Sequence, residues 1–172
     1  MIVVVADTSP LNYLIQIGCH GVLPILFGQV FVPGAVLEEL RHTGSPDVVQ
    51  DFVHAMPQWI VVRRVRLTAD PTLAMLDPGE REAIQLAKDE HAELLLMDER
   101  TGVRLARQQG LKVLGTLGVL VQAAQRGLVD IETTFAALRA TDFRCTPQVF
   151  EQAKRQAEKK GPELGDGVKK YP

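Results

Sequence analysis

The sequence predicts a three-layer α/β/α domain built on a mainly parallel central sheet, and three observations carry that expectation. Two short apolar runs, Ile2–Ala6 and Glu93–Met97, lack the alternation of a half-solvated strand, which is the pattern of strands covered on both faces of a parallel sheet. Each run stops on an acid, Asp7 and Asp98. Around them strand-like and helix-like stretches alternate along the chain, as they do in βα units and do not in sandwiches or bundles.

Taken in order, Ile2–Ala6 is the first strand. Ser9 and Pro10 then read as a helix N-cap and first helical position, because serine accepts a free amide and proline has none to leave unpaired. Leu11, Leu14, Ile15 and Ile17 follow at helical spacing, with Gly18 as the stop. Cys19–Gly28 is a connection or a short helix interrupted by Pro24, and Gln29–Val32 a second strand. Pro33 opens a helix in which Val36, Leu37 and Leu40 form the apolar stripe and Glu38 and Glu39 flank it. Ser45-Pro46 repeats the cap-and-proline signature before a helix with Val48, Val49, Phe52 and Val53, running to about Met56. Trp59–Val62 is a third strand, followed by a basic cluster of Arg63, Arg64 and Arg66 and a long irregular segment, Leu67–Asp77.

Asp77-Pro78-Gly79-Glu80 starts the next helix, whose core side is Ala83, Ile84, Leu86 and Ala87. Glu80 and Glu82 sit in its first turn, where carboxylates suit the positive end of the helix dipole. After the Glu93–Met97 strand, the helix Glu99–Gln109 ends at Gly110 and carries Arg100, Arg104 and Arg107 on one face. Lys112–Leu114 is a last short strand, Gly115-Thr116 a turn, and Leu117–Arg126 an apolar helix. Asp130 caps a helix to Arg139, and Thr146-Pro147 opens a polar one to about Lys160. We divide the chain into a core domain, 1–128, a helical extension packed on it, 129–160, and a tail, 161–172. The tail is rich in glycine, proline and charge and is expected to be disordered.

Composition narrows the function classes. A chain of 172 residues with a formal net charge of −2 buries a sizeable core but does not announce a nucleic-acid binder by bulk charge, so any such partner must meet a local basic patch. The two cysteines, Cys19 and Cys145, have no zinc spacing and suggest no disulfide framework, which fits a cytoplasmic protein. No run approaches a membrane span and no signal peptide is expected.

The chemistry lies in the acids. Asp7 alone reads equally well as a turn residue or as a site acid at a strand's C-terminal end. With Asp98 on a second buried strand, and glutamates offered by two helices, four carboxylates reach one sheet edge and need a cation to offset their repulsion. Oxygen-only donors suit Mg²⁺ or Mn²⁺, and the scattered histidines give no zinc pattern. Such a site activates water and stabilises charge on a phosphate, which makes phosphodiester hydrolysis the natural reaction. Walker, dinucleotide-binding and nucleophile-elbow motifs are not found, and Asp7-Thr8-Ser9 is not the DxD of an aspartyl-phosphate phosphatase.

The ordered set VVADTSPL, VPGAVLEEL, LDPGEREAIQLA, ELLLMDERTGVRLARQQGL and VLGTLGVL, covering about residues 2–128, resembles the PIN-domain family, in particular its prokaryotic VapC-toxin-like subgroup. The resemblance implies a metal-dependent ribonuclease acting on single-stranded RNA, in a toxin restrained by a small antitoxin protein and commonly a homodimer, with the apolar stretch Leu117–Arg139 as the candidate interface. It implies Asp7, Glu39, Glu80 and Asp98 as the catalytic and metal-binding acids. Glu38 is the rival of Glu39 and Glu82 of Glu80; the family's spacing of about eighteen residues before Asp98 favours Glu80. Thr8 or Ser9 matches the family's small hydroxyl residue, and Ser9, Arg100 and Arg104 are expected to contact RNA. Arg100 stands where the family often has a further acid, which implies one tight metal rather than two. Two other readings share the chain: a non-catalytic RNA-binding or protein-interaction module, and a DNA-directed structure-specific nuclease.

Overall fold

A computed structural model describes residues 2–159. Five strands form one all-parallel sheet: β1 (Val4–Ala6), β2 (Val30–Pro33), β3 (Ile60–Arg63), β4 (Leu94–Leu96) and β5 (Val113–Leu114), in the order β3-β2-β1-β4-β5. The expected α/β/α layering is present, and its physical basis is visible in β1. Val4 and Ala6 face one core while Val5, between them, faces another, and all three are fully buried. An uninterrupted apolar run is what a strand with two dry faces requires.

The larger core lies under α1 (Thr8–Gln16), α2 (Val22–Phe27), α3 (Gly34–Arg41), α4 (Asp47–His54), α7 (Thr116–Gln125), α8 (Ile131–Arg139) and α9 (Pro147–Ala157). The smaller core lies under α5 (Pro78–Asp89) and α6 (Arg100–Gln108), joined by Leu73 and Leu76 from the segment before α5. That segment is less irregular than expected, because Asp70 caps a short 3₁₀ turn, Pro71–Leu73, that plants those leucines. In the stretch Leu117–Arg139, expected as a dimer interface, Val119, Leu120, Val121, Ala123, Leu128, Phe135 and Leu138 are buried within the chain's own core.

Local differences from the sequence reading have local causes. The N-cap of α1 is Asp7, not Ser9, and Pro10 is the third helical residue. Asp7 is extended (φ −80°, ψ 171°), so the strand passes straight into the helix with no residue left over for a separate cap. Pro10 is tolerated there because its missing amide is still one of the unpaired first-turn donors. In the same way Pro46, rather than Ser45, precedes α4, and the Ser45 hydroxyl donates to the carbonyl of Glu39 at 3.2 Å. Val48 is exposed on α4 while Val49 and Val53 are buried. Cys19–Gly28 contains the helix α2, with Pro24 inside it. Thr116 is not a turn residue but the first residue of α7. The last helix ends at Ala157, and the tail 161–172 lies outside the described residues. No described helix is long and apolar enough to cross a membrane.

Candidate metal and nucleic-acid site

The sheet order reverses around β1, whose neighbours are β2 on one side and β4 on the other. Crevices beyond the strand C-termini at such a reversal are where open α/β sheets bind ligands. Asp7 leaves β1 and Asp98 follows β4 at this edge, the Asp7 amide donating to the Leu96 carbonyl at 2.9 Å.

Asp7 is the most enclosed acid of the group, 3 % exposed. Its Oδ1 is buried with no hydrogen-bond partner. Loss of solvation pushes its carboxyl up to about 8; the Thr8 amide pulls the other way, and the charges of Glu80, Asp77 and Glu39 push it further up. Glu80 is also buried, and loss of solvation with the Asp77 charge pushes it up to about 7, with smaller contributions from Glu99 and Glu39. The local reason for its position is a capping box: Asp77 accepts from the Glu80 amide at 2.9 Å, and the Glu80 carboxylate accepts from the Asp77 amide at 3.2 Å.

Glu39 points from α3 into the gap between two helix starts. One carboxylate oxygen accepts from the Thr8 hydroxyl and the other from the Gly79 amide at 2.9 Å. Glycine at 79 leaves room for this contact, since a Cβ would sit 2.5 Å from the Glu39 oxygen and push the carboxylate aside. Asp98 is held in the same manner at a third helix start, accepting from the Thr116 amide at 2.7 Å and its hydroxyl at 2.6 Å. Gly115 leaves the room, because a Cβ there would meet Asp98 Oδ1 at 2.8 Å. Burial raises the Asp98 carboxyl while both Thr116 donors lower it. Glu39 and Asp98 thus each face the positive end of a helix, where a carboxylate is favoured.

The rival acids are placed elsewhere. Glu82 accepts from the Ala35 amide at 2.8 Å and so caps α3, which has no side-chain cap of its own. Glu38 is exposed and pairs with Arg41 at 3.4 Å. Asp7, Glu39 and Glu80 share one electrostatic neighbourhood with Asp77, an acid that sequence reasoning treated only as a helix start. Burial is the leading influence on Asp7 and Glu80, and these neighbours on α3 and at the start of α5 add to it. Among the described residues no three His, Cys, Asp or Glu side chains are grouped as a ready metal cage. The donor chemistry nevertheless fits a hard divalent cation: the side chains gathered at this edge offer carboxylate and hydroxyl oxygens, Asp7 Oδ1 has no partner, and ionised carboxylates that each accept one bond per oxygen keep lone pairs for another.

Asp98 also borders a cleft of about 550 Å³ lined by Arg100, Arg104 and Arg107 of α6. Among the described residues none of these arginines is in an ion pair. Arg63, by contrast, is engaged, 3.7 Å from Glu90 and with its guanidinium 4.6 Å from the centre of the Phe31 ring. Ser9 lies in the first turn of α1, partly exposed. Thr116 was missed by sequence reasoning; its signal was its place right after a glycine and before an apolar helical run.

No curated protein and no solved structure matches the chain. A family model described as a PIN domain (DUF3368) matches residues 3–159, which takes in all five strands and every helix through α9. The parallel sheet, the acids at its central C-terminal edge and the extent of that match lead to one family: the chain belongs to the PIN domains.

Proposed function

We propose that this protein is a metal-dependent ribonuclease that hydrolyses phosphodiester bonds of single-stranded RNA. PIN domains are in general nucleases that act on nucleic acids and usually bind divalent metal ions, which supports the reaction class. The observation that carries the reading to these residues is the unpartnered, buried Oδ1 of Asp7 beside the charges of Glu39 and Glu80 at the sheet's C-terminal edge.

In this reading Asp7 and Asp98 would anchor Mg²⁺ or Mn²⁺, and Glu39 and Glu80 would complete the shell or orient the attacking water. A cation held there supplies a water of lowered pKa and positive charge opposite the phosphate. The chain's own contribution is placement. Thr8 and Gly79 fix both oxygens of Glu39, Thr116 fixes both of Asp98, and burial keeps bulk water from Asp7. Arg100 and Arg104, on the groove that starts at Asp98, draw in the phosphate backbone, and Ser9 offers a hydroxyl at the first turn of α1. The resemblance to VapC-type toxins extends the proposal to a toxin inhibited by a small antitoxin protein.

Incubation of the chain with unstructured RNA in Mg²⁺ or Mn²⁺ tests this. Cleavage that disappears in chelator and falls by orders of magnitude in Asp7→Asn is the expected result. Metal-independent RNA binding without cleavage would sink the proposal, and deoxy substrates cut as well as ribose ones would turn it toward a DNA nuclease.

A further inference from the structure

A second cleft of about 620 Å³ is lined by residues of α1, the end of α3 and the turn that leads to α4. Thr8 and Glu39 are among its lining residues, so it adjoins the site above. Asn12 and Gln16, one helical turn apart on α1, line it together with Leu40 and Pro46. The other polar groups there are spoken for. The Ser45 hydroxyl donates to the Glu39 carbonyl, and His42 Nδ1 accepts from the Gly44 amide at 3.0 Å, which fixes the imidazole. Asn12 and Gln16 are partly buried, and neither side chain has a hydrogen-bond partner among the described residues.

The charge of this cleft selects its occupant. Its charged lining residues apart from His42 are the carboxylates Glu39 and Asp142, with no lysine or arginine. A phosphate would be repelled here, whereas it is attracted to the arginine groove beyond Asp98. A neutral, flat ligand with adjacent donors and acceptors meets what the walls offer. Side-chain amides pair in a bidentate manner with base edges, adenine N6 and N7 above all, and unpaired RNA bases pack on aromatic rings including histidine.

We propose that this cleft is a subsite for one unpaired nucleobase of the bound strand, with Asn12 and Gln16 reading its edge and His42 packing on its face. The proposal rests on the ribonuclease reading, since it places a base beside Glu39 while the backbone follows the arginine groove. It makes adenine the favoured base at that position.

The test is binding of fluorescent oligo-A, oligo-U, oligo-C and oligo-G of equal length to the full chain in chelator, read by anisotropy. Oligo-A should bind at least about fivefold more tightly than the others, and Asn12→Ala with Gln16→Ala should level the affinities while leaving the salt dependence unchanged. Equal wild-type affinities would overturn the proposal, as would variants that weaken all four oligomers alike. A preference for another base that the same variants abolish would overturn the assignment to adenine. Because the readout needs no metal and no cleavage, discrimination without cleavage would sink only the ribonuclease reading, and cleavage without discrimination only the subsite.

Discussion

Burial first and neighbouring carboxylates next push the Asp7 carboxyl up to about 8 from 3.8, which favours its protonated form in the cation-free chain. Between those two values the folded chain binds a proton that the unfolded chain has lost, so folding stability falls as pH rises through the interval and levels off above it. Glu80, pushed up to about 7 from 4.5, acts in the same direction over a narrower window. Asp7→Asn has no proton to lose. In chelator it should therefore melt higher than the wild type near pH 9, with the gap closing toward pH 5; thermal melts across that range check it, and parallel pH profiles for the two proteins would refute the assignment. A divalent cation must displace the same protons, so its affinity should climb over the same interval.

At the scale of elements, four helix starts do the positioning. Those of α1, α5 and α7 bring Thr8, Gly79 and Thr116 against Glu39 and Asp98, and that of α3 receives Glu82. Glu80 and Glu82 are indistinguishable as first-turn acids in sequence, yet one is buried at the sheet edge and the other caps a neighbouring helix. Removing the cap by Glu82→Ala should cost about 0.5–2 kcal/mol in urea unfolding and leave RNA cleavage within a few fold of the wild type. Glu80→Gln should do the reverse, keeping stability and losing cleavage. If the two variants exchange these phenotypes, the assignment of Glu80 over Glu82 fails.

For the molecule as a whole, the helices after residue 128 belong to the core that supports the site. Phe135 is fully buried in the larger cluster with Leu138 and Phe150, and its ring meets Phe150 edge-on with centroids 5.2 Å apart. The same cluster contains Val4 and Ala6 of β1, the strand that delivers Asp7. Phe135→Ala should therefore cost about 3–5 kcal/mol, seen as a lower urea midpoint for the single transition of the whole chain. A loss confined to a separate transition of α8 and α9 would mark those helices as an independent unit.

How much of this was legible in the sequence follows from the range of the forces involved. Strand–helix alternation, the dry β1 and β4 runs and the positions of Asp7 and Asp98 are written in local pattern, because a strand covered on both faces must be apolar throughout and ends where a polar residue meets the sheet edge. The Asp77–Glu80 box is equally local. The displaced cap at Ser9 shows the limit of local preference, since it yielded to a strand that runs directly into its helix. Tertiary structure alone decided which carboxylate oxygens are spoken for: Glu39 meets Gly79, and Asp98 meets Thr116, only after folding brings helix starts from distant parts of the chain to one edge. It also decided that Asp7 Oδ1 stays unpartnered and that Asn12 and Gln16 line an open cleft, because burial and partners are properties of what surrounds a residue and not of the residues beside it in the chain.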